Sequence, residues 1–100
     1  MSGEAFMPEP FGQAKLTCTT ATGRVALVSP GPGRRARLYN AGQIPAFLEF
    51  GDATVVATLA TSTPYAPGVE VIRIPGNCTH MAGITSLATT DLYVTLGEGV

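Results

Sequence analysis

The residues best able to do chemistry in this chain are one histidine, His80, and two cysteines, Cys18 and Cys78. Because Cys78 and His80 are two positions apart, they would share one face of a β-strand, where an imidazole could activate a thiol. A metal site would need further ligands, and the seven carboxylates stand at no spacing typical of one. We therefore expect a structural histidine, with no enzymatic activity and no metal or other cofactor.

The two cysteines lack the CxxC spacing of redox and zinc sites. The segment MSGEAFMPEP contains neither the basic nor the apolar region of a signal peptide. No apolar run approaches the roughly 18 residues of a membrane span. We expect a protein made in the cytoplasm, without a membrane partner, whose thiols stay reduced and act as small apolar groups.

A second chemical feature is a cluster of three arginines, Arg34, Arg35 and Arg37. On a strand, Arg35 and Arg37 share a face, where their guanidinium groups could pair with carboxylates of a partner protein. Alternatively, the charges could protect an edge strand against unwanted pairing. A phosphate-binding stripe is disfavoured because the net charge is −1 and the cluster lacks an aromatic platform, so no nucleic acid is expected.

The elements that must position these residues are short strands. Threonine and valine are abundant and favour β structure, while 12 glycines and 8 prolines interrupt any helix. The apolar or alternating segments, separated by turn residues, are residues 15–20, 24–28, 35–40, 46–50, 55–59, 69–74, 78–84 and 91–96. This spacing predicts an all-β fold: a single-domain antiparallel β-sandwich, jelly-roll-like, with about eight short strands.

Residues 1–12 are predicted to form an extended N-terminal arm in front of the sandwich domain, residues 13–100. Two prolines hold the arm away from helical conformations. A solvated arm would have little use for Phe6, Met7 and Phe11, so we expect them to dock onto a neighbouring molecule or back onto the domain; a frayed terminus is the alternative. The candidate partner-binding residues are therefore Phe6, Met7, Phe11, Arg34, Arg35 and Arg37.

Four segments have a distinctive order of turns and strands: ARLYNAGQIPAFLEFGD (36–52), APGVEVIRIP (66–75), THMAGIT (79–85) and LYVTLGEGV (92–100). Together they resemble a family of short virion structural proteins of tailed bacteriophages and prophages. In that family an R-x-Y-N-A-G segment precedes F-x-x-F-G-D, and the chain ends soon after L-Y-V-T-x-G-E-G. The resemblance covers most of the chain after residue 13, and it carries over no functional residue.

The resemblance implies a capsid decoration or cement protein, which binds the major capsid protein on the outer surface of the head and stabilises the head. Such a protein is made in the host cytoplasm, is located on the virion, and associates with itself, for example as a homotrimer. A head–tail connector or tail component is the alternative in the same setting. From another class, a ligand- or carbohydrate-binding sandwich would use Tyr39, Tyr65 and Tyr93 as its aromatic platform.

Overall fold

A computed structural model of the protein describes residues 7–27, 35–74 and 78–98. Within these residues every regular element is a β-strand, which confirms the predicted all-β class. The eight strands are β1 (Met7–Cys18), β2 (Gly23–Ala26), β3 (Arg35–Asn40), β4 (Ala46–Gly51), β5 (Thr63–Tyr65), β6 (Gly68–Arg73), β7 (His80–Ile84) and β8 (Thr90–Glu98).

The strands form two antiparallel sheets of four strands each. The first sheet has the order β1-β8-β3-β6, and the second has the order β2-β7-β4-β5. Apart from the step from β4 to β5, each strand is followed in the chain by a strand of the other sheet. This order is that of a jelly roll, in which two Greek keys build the two sheets. The prediction of a jelly-roll-like β-sandwich is confirmed.

The core lies between the two sheets and follows the alternation of side chains along the strands. In β3, Ala36 and Leu38 are buried, whereas Arg37 on the opposite side is exposed. Burial of a whole Leu or Val side chain stabilises a fold by roughly 1.5–3 kcal/mol. The buried cluster consists of Leu16, Cys18, Ala36, Leu38, Ala46, Leu48, Ile74, Met81, Leu92, Val94 and Leu96.

The buried side chain of Asn40, at the end of β3, joins the two sheets. Its amide nitrogen donates to the carbonyls of Ile44 at 2.9 Å and Tyr65 at 3.1 Å. Its oxygen accepts the Gly42 N–H at 3.1 Å and the Thr90 hydroxyl at 2.5 Å. A side chain at position 42 would overlap Thr90, so the turn after β3 requires glycine. This network fixes β3 against β5 of the other sheet.

The edge strands carry features that discourage pairing with another chain. β5 has three residues, one of them Pro64, and β2 has four. β6 carries Glu70 opposite Leu38, on the core side of the sheet yet exposed at its rim. β1 contains Pro8 and an irregularity in its pairing with β8. Faces and loops, not edges, are therefore the surfaces best suited to partners.

The prediction of a strand at residues 55–59 is wrong, because the chain leaves the sheets there. The carboxylate of Asp52 accepts the Thr54 N–H at 2.8 Å and turns the chain away from β4. The Ala57 N–H donates to the Thr22 hydroxyl oxygen at 2.9 Å, where a strand would need a backbone carbonyl. The eighth strand is instead β5, in a region expected to form polar turns.

The described part of the predicted arm belongs to β1. Met7 pairs with Glu98 of β8, and the pairing shifts between Pro8 and Gln13. The expected boundary after residue 12 therefore falls within a strand of the first sheet. Residues 1–6 lie outside the described residues.

Candidate protein-interaction surface

The outer face of the first sheet gathers basic and aromatic side chains from all four of its strands. The register aligns Lys15, Tyr93, Tyr39 and Val69 in one row across β1, β8, β3 and β6. We call this surface the basic face. Its members are Gln13, Lys15, Arg35, Arg37, Tyr39, Val69, Val71, Arg73, Asp91, Tyr93 and Thr95.

Four of the chain's six lysines and arginines lie on the basic face: Lys15, Arg35, Arg37 and Arg73. Among the side chains that the structure describes, Asp91 is the one carboxylate there, with Oδ2 3.8 Å from Lys15 Nζ. Arg35 stands directly opposite Arg73 in the β3–β6 ladder. Like charges in this position destabilise a sheet. The face therefore has an excess of positive charge although the chain has a net charge of −1.

Two tyrosines form the centre of the basic face. The rings of Tyr39 and Tyr93 are stacked, with centroids 6.1 Å apart and planes inclined by 22°. Lys15 Nζ lies 5.6 Å from the Tyr93 centroid, on the side of β1, so Tyr93 is flanked by an ammonium group and a ring. Tyr39 is 41% exposed, and Val69 beside it is 53% exposed. An aromatic and apolar centre is thus bordered by cations.

A shallow depression of about 440 Å³ lies on the same face. Pro8, Gln13, Arg37 and Thr95 line it. It coincides with the pairing irregularity of β1 between Pro8 and Gln13. Arg37 therefore borders a shallow, open depression on the basic face.

The outer face of the second sheet differs because residues 52–62 cross it. Ala82 of β7 points outward, between Arg24 of β2 and Glu49 of β4 in the same cross-strand row. It nevertheless has no exposed surface. We call residues 52–62 the crossing segment, since they cover the centre of this face.

Hydrogen bonds fix the crossing segment on both sides of that row. Arg24 Nη1 donates to the Val55 carbonyl at 3.0 Å. The Ser62 hydroxyl donates to the Glu49 carboxylate at 3.1 Å. Ala57, in the middle of the segment, is 3% exposed. The second sheet is therefore covered by the chain's own residues.

Of the predicted partner-binding residues, Arg35 and Arg37 lie on the basic face. β3 is an inner strand, between β8 and β6. The interpretation that these charges protect an edge strand is therefore wrong, because β3 has no free edge. Pairing of Arg35 and Arg37 with anionic groups of a partner stays a prediction.

The structure describes less of the other predicted partner-binding residues. Phe6 and Arg34 lie outside the described residues. Met7 and Phe11 belong to β1, and only their backbone is described. Their docking stays a prediction.

Sequence reasoning did not assign Lys15 or Arg73 to a site. Both occupy outward positions of alternating strands, a signal that the sequence contains. Their proximity to Arg37 and Tyr39 depends on the order β1-β8-β3-β6, which joins segments distant in the chain. Local sequence patterns do not reveal the order of the strands in the sheet, and this order is what brings the residues together.

Cys78 precedes β7, whose first residue, His80, lies on the same outward side of the strand as Ala82, so the two side chains do not share a strand face. Cys78 packs against the core, whereas Nδ1 of His80 lies 2.8 Å from the Thr79 hydroxyl oxygen. Burial, and secondarily the charge of Asp91, raises the pKa of the Cys18 thiol to about 11. Both cysteines are free thiols, with Cys18 buried and Cys78 half-buried.

In the described ranges, no group of three or more His, Cys, Asp or Glu side chains is placed to hold a metal ion. The same part of the chain contains no helix long and apolar enough to cross a membrane. No family model matches the sequence, and no match was found among curated proteins or solved structures. Function must therefore be inferred from the geometry of the two faces.

Proposed function

We propose that this protein is a non-catalytic capsid decoration protein, which binds the outer surface of the major capsid protein and stabilises the head of a tailed phage. In this proposal the partner is a protein, and the sandwich is a rigid support for a binding surface. Copies of the chain associate with one another on the virion, for example as trimers, after synthesis in the host cytoplasm.

The observation that carries the proposal is the contrast between the two outer faces. The crossing segment covers the second sheet, with Ala82 entirely buried beneath it. The basic face has no comparable cover from the described residues, and it exposes Tyr39 and Val69 beside arginines. Protein interfaces are enriched in tyrosine and arginine and have apolar centres with polar rims. The composition of the basic face fits this anatomy.

The segments that resemble phage structural proteins contribute to the core and to the basic face alike. In R-x-Y-N-A-G, Asn40 and Gly42 belong to the buried network, whereas Arg37 and Tyr39 point outward. In L-Y-V-T, Tyr93 lies next to Tyr39 across the β3–β8 ladder. Arg37, Tyr39 and Tyr93 are therefore outward-facing side chains that a partner could contact.

The same features allow a tail or head–tail connector location, since the basic face does not specify which virion protein it meets. A carbohydrate-binding module is the second candidate, and the stacked pair of Tyr39 and Tyr93 is the observation in its favour. Sugars bind against open ring faces. The Tyr93 ring lies between Lys15 and Tyr39, which leaves Tyr39 as the more accessible ring. One accessible ring is a small platform, so we favour the protein partner.

Sedimentation with capsids that lack this protein tests the proposal. We expect the purified chain to pellet with such capsids in a fixed ratio to the major capsid protein, and to raise the temperature at which they release their DNA. Isolated tails serve as the second target. Pelleting with tails alone would transfer the role to the tail, and pelleting with neither would overturn the virion role. If the chain binds neither capsids nor tails but binds saturably to a glycan array, the carbohydrate alternative is supported.

A further inference from the structure

We infer that the basic face is the docking surface, and that its occupant is a carboxylate-rich patch on the surface of the partner protein. This inference rests on the proposed function and adds to it the face that docks and the chemistry of the partner. It follows from the charges, the hydrogen-bonding geometry of arginine and the apolar centre of the face.

Charge complementarity is the first argument. Arg35 and Arg73 stand opposite one another on neighbouring strands. Asp91, the one described carboxylate on the face, is already placed against Lys15 at 3.8 Å and accepts the Thr17 hydroxyl at 2.8 Å. The like-charged arginine pair costs stability in the free protein. A carboxylate bound between the Arg35 and Arg73 guanidinium groups would attract both and offset their mutual repulsion.

The type of cation is the second argument. Arginine contributes three of the four cations on the face, and lysine one. A guanidinium group forms two parallel hydrogen bonds to a carboxylate, whereas an ammonium group acts as a point charge. Arg37 lines the depression together with Gln13 and Thr95, whose polar side chains offer further hydrogen bonds.

The apolar centre distinguishes a protein from a nucleic acid as the occupant. Tyr39 and Val69 are exposed side by side, and Val71 follows Val69 on the same side of β6. A phosphate backbone would gain little from two valines, which offer it neither charge nor hydrogen bonds. A folded partner can cover the valines while its acidic side chains meet the arginines at the rim.

The size of the face predicts that attachment uses several copies of the chain. Four strands span about 19 Å, and six residues of strand span about 20 Å. An area of roughly 400 Å² is small for a stable one-to-one complex, which commonly uses about 800 Å² on each partner. Stable attachment would then come from several copies joined together and bound to a symmetric lattice.

The test compares three variants with the wild-type chain in the capsid sedimentation assay. The double charge reversal Arg37→Glu, Arg73→Glu should weaken binding at least about 30-fold, because it sets carboxylates against carboxylates. The charge-conserving variant Arg37→Lys, Arg73→Lys should weaken binding about 3- to 10-fold, because the two-bond geometry is lost. The control Arg24→Glu reverses one charge on the covered face, half the charge change of the double reversal, and should bind within about threefold of wild type. Thermal melts confirm that each variant is folded.

The outcomes separate the failure of this inference from the failure of the proposed function. If the wild-type chain does not bind capsids or tails, the proposed function and this inference fail together. If wild type and the double reversal bind alike, the function stands and the docking face is wrong. Sub-micromolar binding of wild type to a 20-nucleotide oligothymidylate, abolished by the double reversal, would replace the acidic protein patch with a nucleic acid. Loss of binding in Arg24→Glu alone would move the docking surface to the second sheet.

Discussion

The two outer faces of the sandwich show how one fold treats its surfaces differently. On the second sheet the small residue Ala82 sits in the central row, and the crossing segment packs over it. On the first sheet the corresponding positions carry bulky or charged side chains, among them Tyr39 and Arg37, and stay exposed. A sheet face covered by its own chain is part of the fold. A face with tyrosines and unbalanced charge, over which none of the described residues packs, is available for another molecule.

Both faces depend on the junction at Asn40, so the largest effect is expected there. Asn40→Ala would leave two backbone carbonyls, the Gly42 N–H and the Thr90 hydroxyl without their partner. Each unsatisfied buried group costs about 1–3 kcal/mol. We expect the free energy of unfolding in urea to fall by at least about 3 kcal/mol. Asn40→Asp keeps the accepting oxygen but sets a second oxygen against the carbonyls of Ile44 and Tyr65, so at pH 7 it should lose at least as much. A loss below about 1 kcal/mol in both variants would contradict the network.

The packing between the two sheets can be measured at Cys18. A thiol with a raised pKa in the folded state favours folding fully below its unfolded pKa, and that contribution is lost as the pH rises through the folded pKa. With an ordinary thiol pKa of 9.0 and a folded pKa of about 11, the window lies between pH 9 and 11. We expect a loss of roughly 2 kcal/mol across it.

Urea unfolding at pH 8 and pH 10.5 checks this prediction. Cys18→Ala should remove part of the pH dependence, while Cys78→Ala, at the less buried cysteine, should retain it. If the free energy of unfolding depends on pH equally in the two variants, burial does not raise the pKa of Cys18. In the folded protein at pH 8, Cys18 should also react with thiol reagents far more slowly than Cys78.

The cover over the second sheet can be tested with one substitution placed on each face. Ala82→Leu adds bulk beneath the crossing segment and should destabilise the protein by about 1–2 kcal/mol. Thr95→Leu, on the basic face, should change the free energy of unfolding by less than about 0.5 kcal/mol. Urea unfolding measures both. Similar losses of unfolding free energy in the two variants would mean that the two faces are equally covered or equally exposed. That result would contradict the contrast between the faces.

The smallest expected effect concerns the hydroxyl groups on the two faces. Thr22→Val removes the acceptor of the buried Ala57 N–H and should cost about 1 kcal/mol. Thr17→Val removes a hydroxyl that donates to Asp91 on the exposed face and should cost less than about 0.5 kcal/mol. Hydrogen exchange at Ala57 should accelerate only in Thr22→Val. Unchanged exchange there would show that the crossing segment is held by other contacts.

The sequence predicts those parts of the fold that depend on local alternation. β3 shows this best, since Ala36 and Leu38 alternate with Arg35 and Arg37 both in the sequence and in the structure. The run at residues 55–59 misleads, because its valines have high β-propensity while hydrogen bonds from Arg24 and Thr22 hold it outside the sheets. Those partners are distant in the chain, so no local pattern reveals them.

For the same reason, local sequence patterns predict only part of the candidate site. Arg35 and Arg37 are adjacent outward positions of one strand, so their shared face follows from alternation. Lys15, Tyr93 and Tyr39 become neighbours only when β8 inserts between β1 and β3. That placement is a long-range property of the jelly roll, set by how the hydrophobic faces pack and not by any single segment.

The central claim is that the basic face, and not the covered one, meets the partner. Oxidative footprinting read by mass spectrometry, on the chain bound to capsids and on the free chain, tests it most directly. We expect Tyr39 and Tyr93 to be protected at least about fivefold on binding, while Tyr65 of the second sheet and Leu59 of the crossing segment keep their free-state rates. Protection of Leu59 without protection of Tyr39 would contradict the account and identify the second sheet as the docking surface.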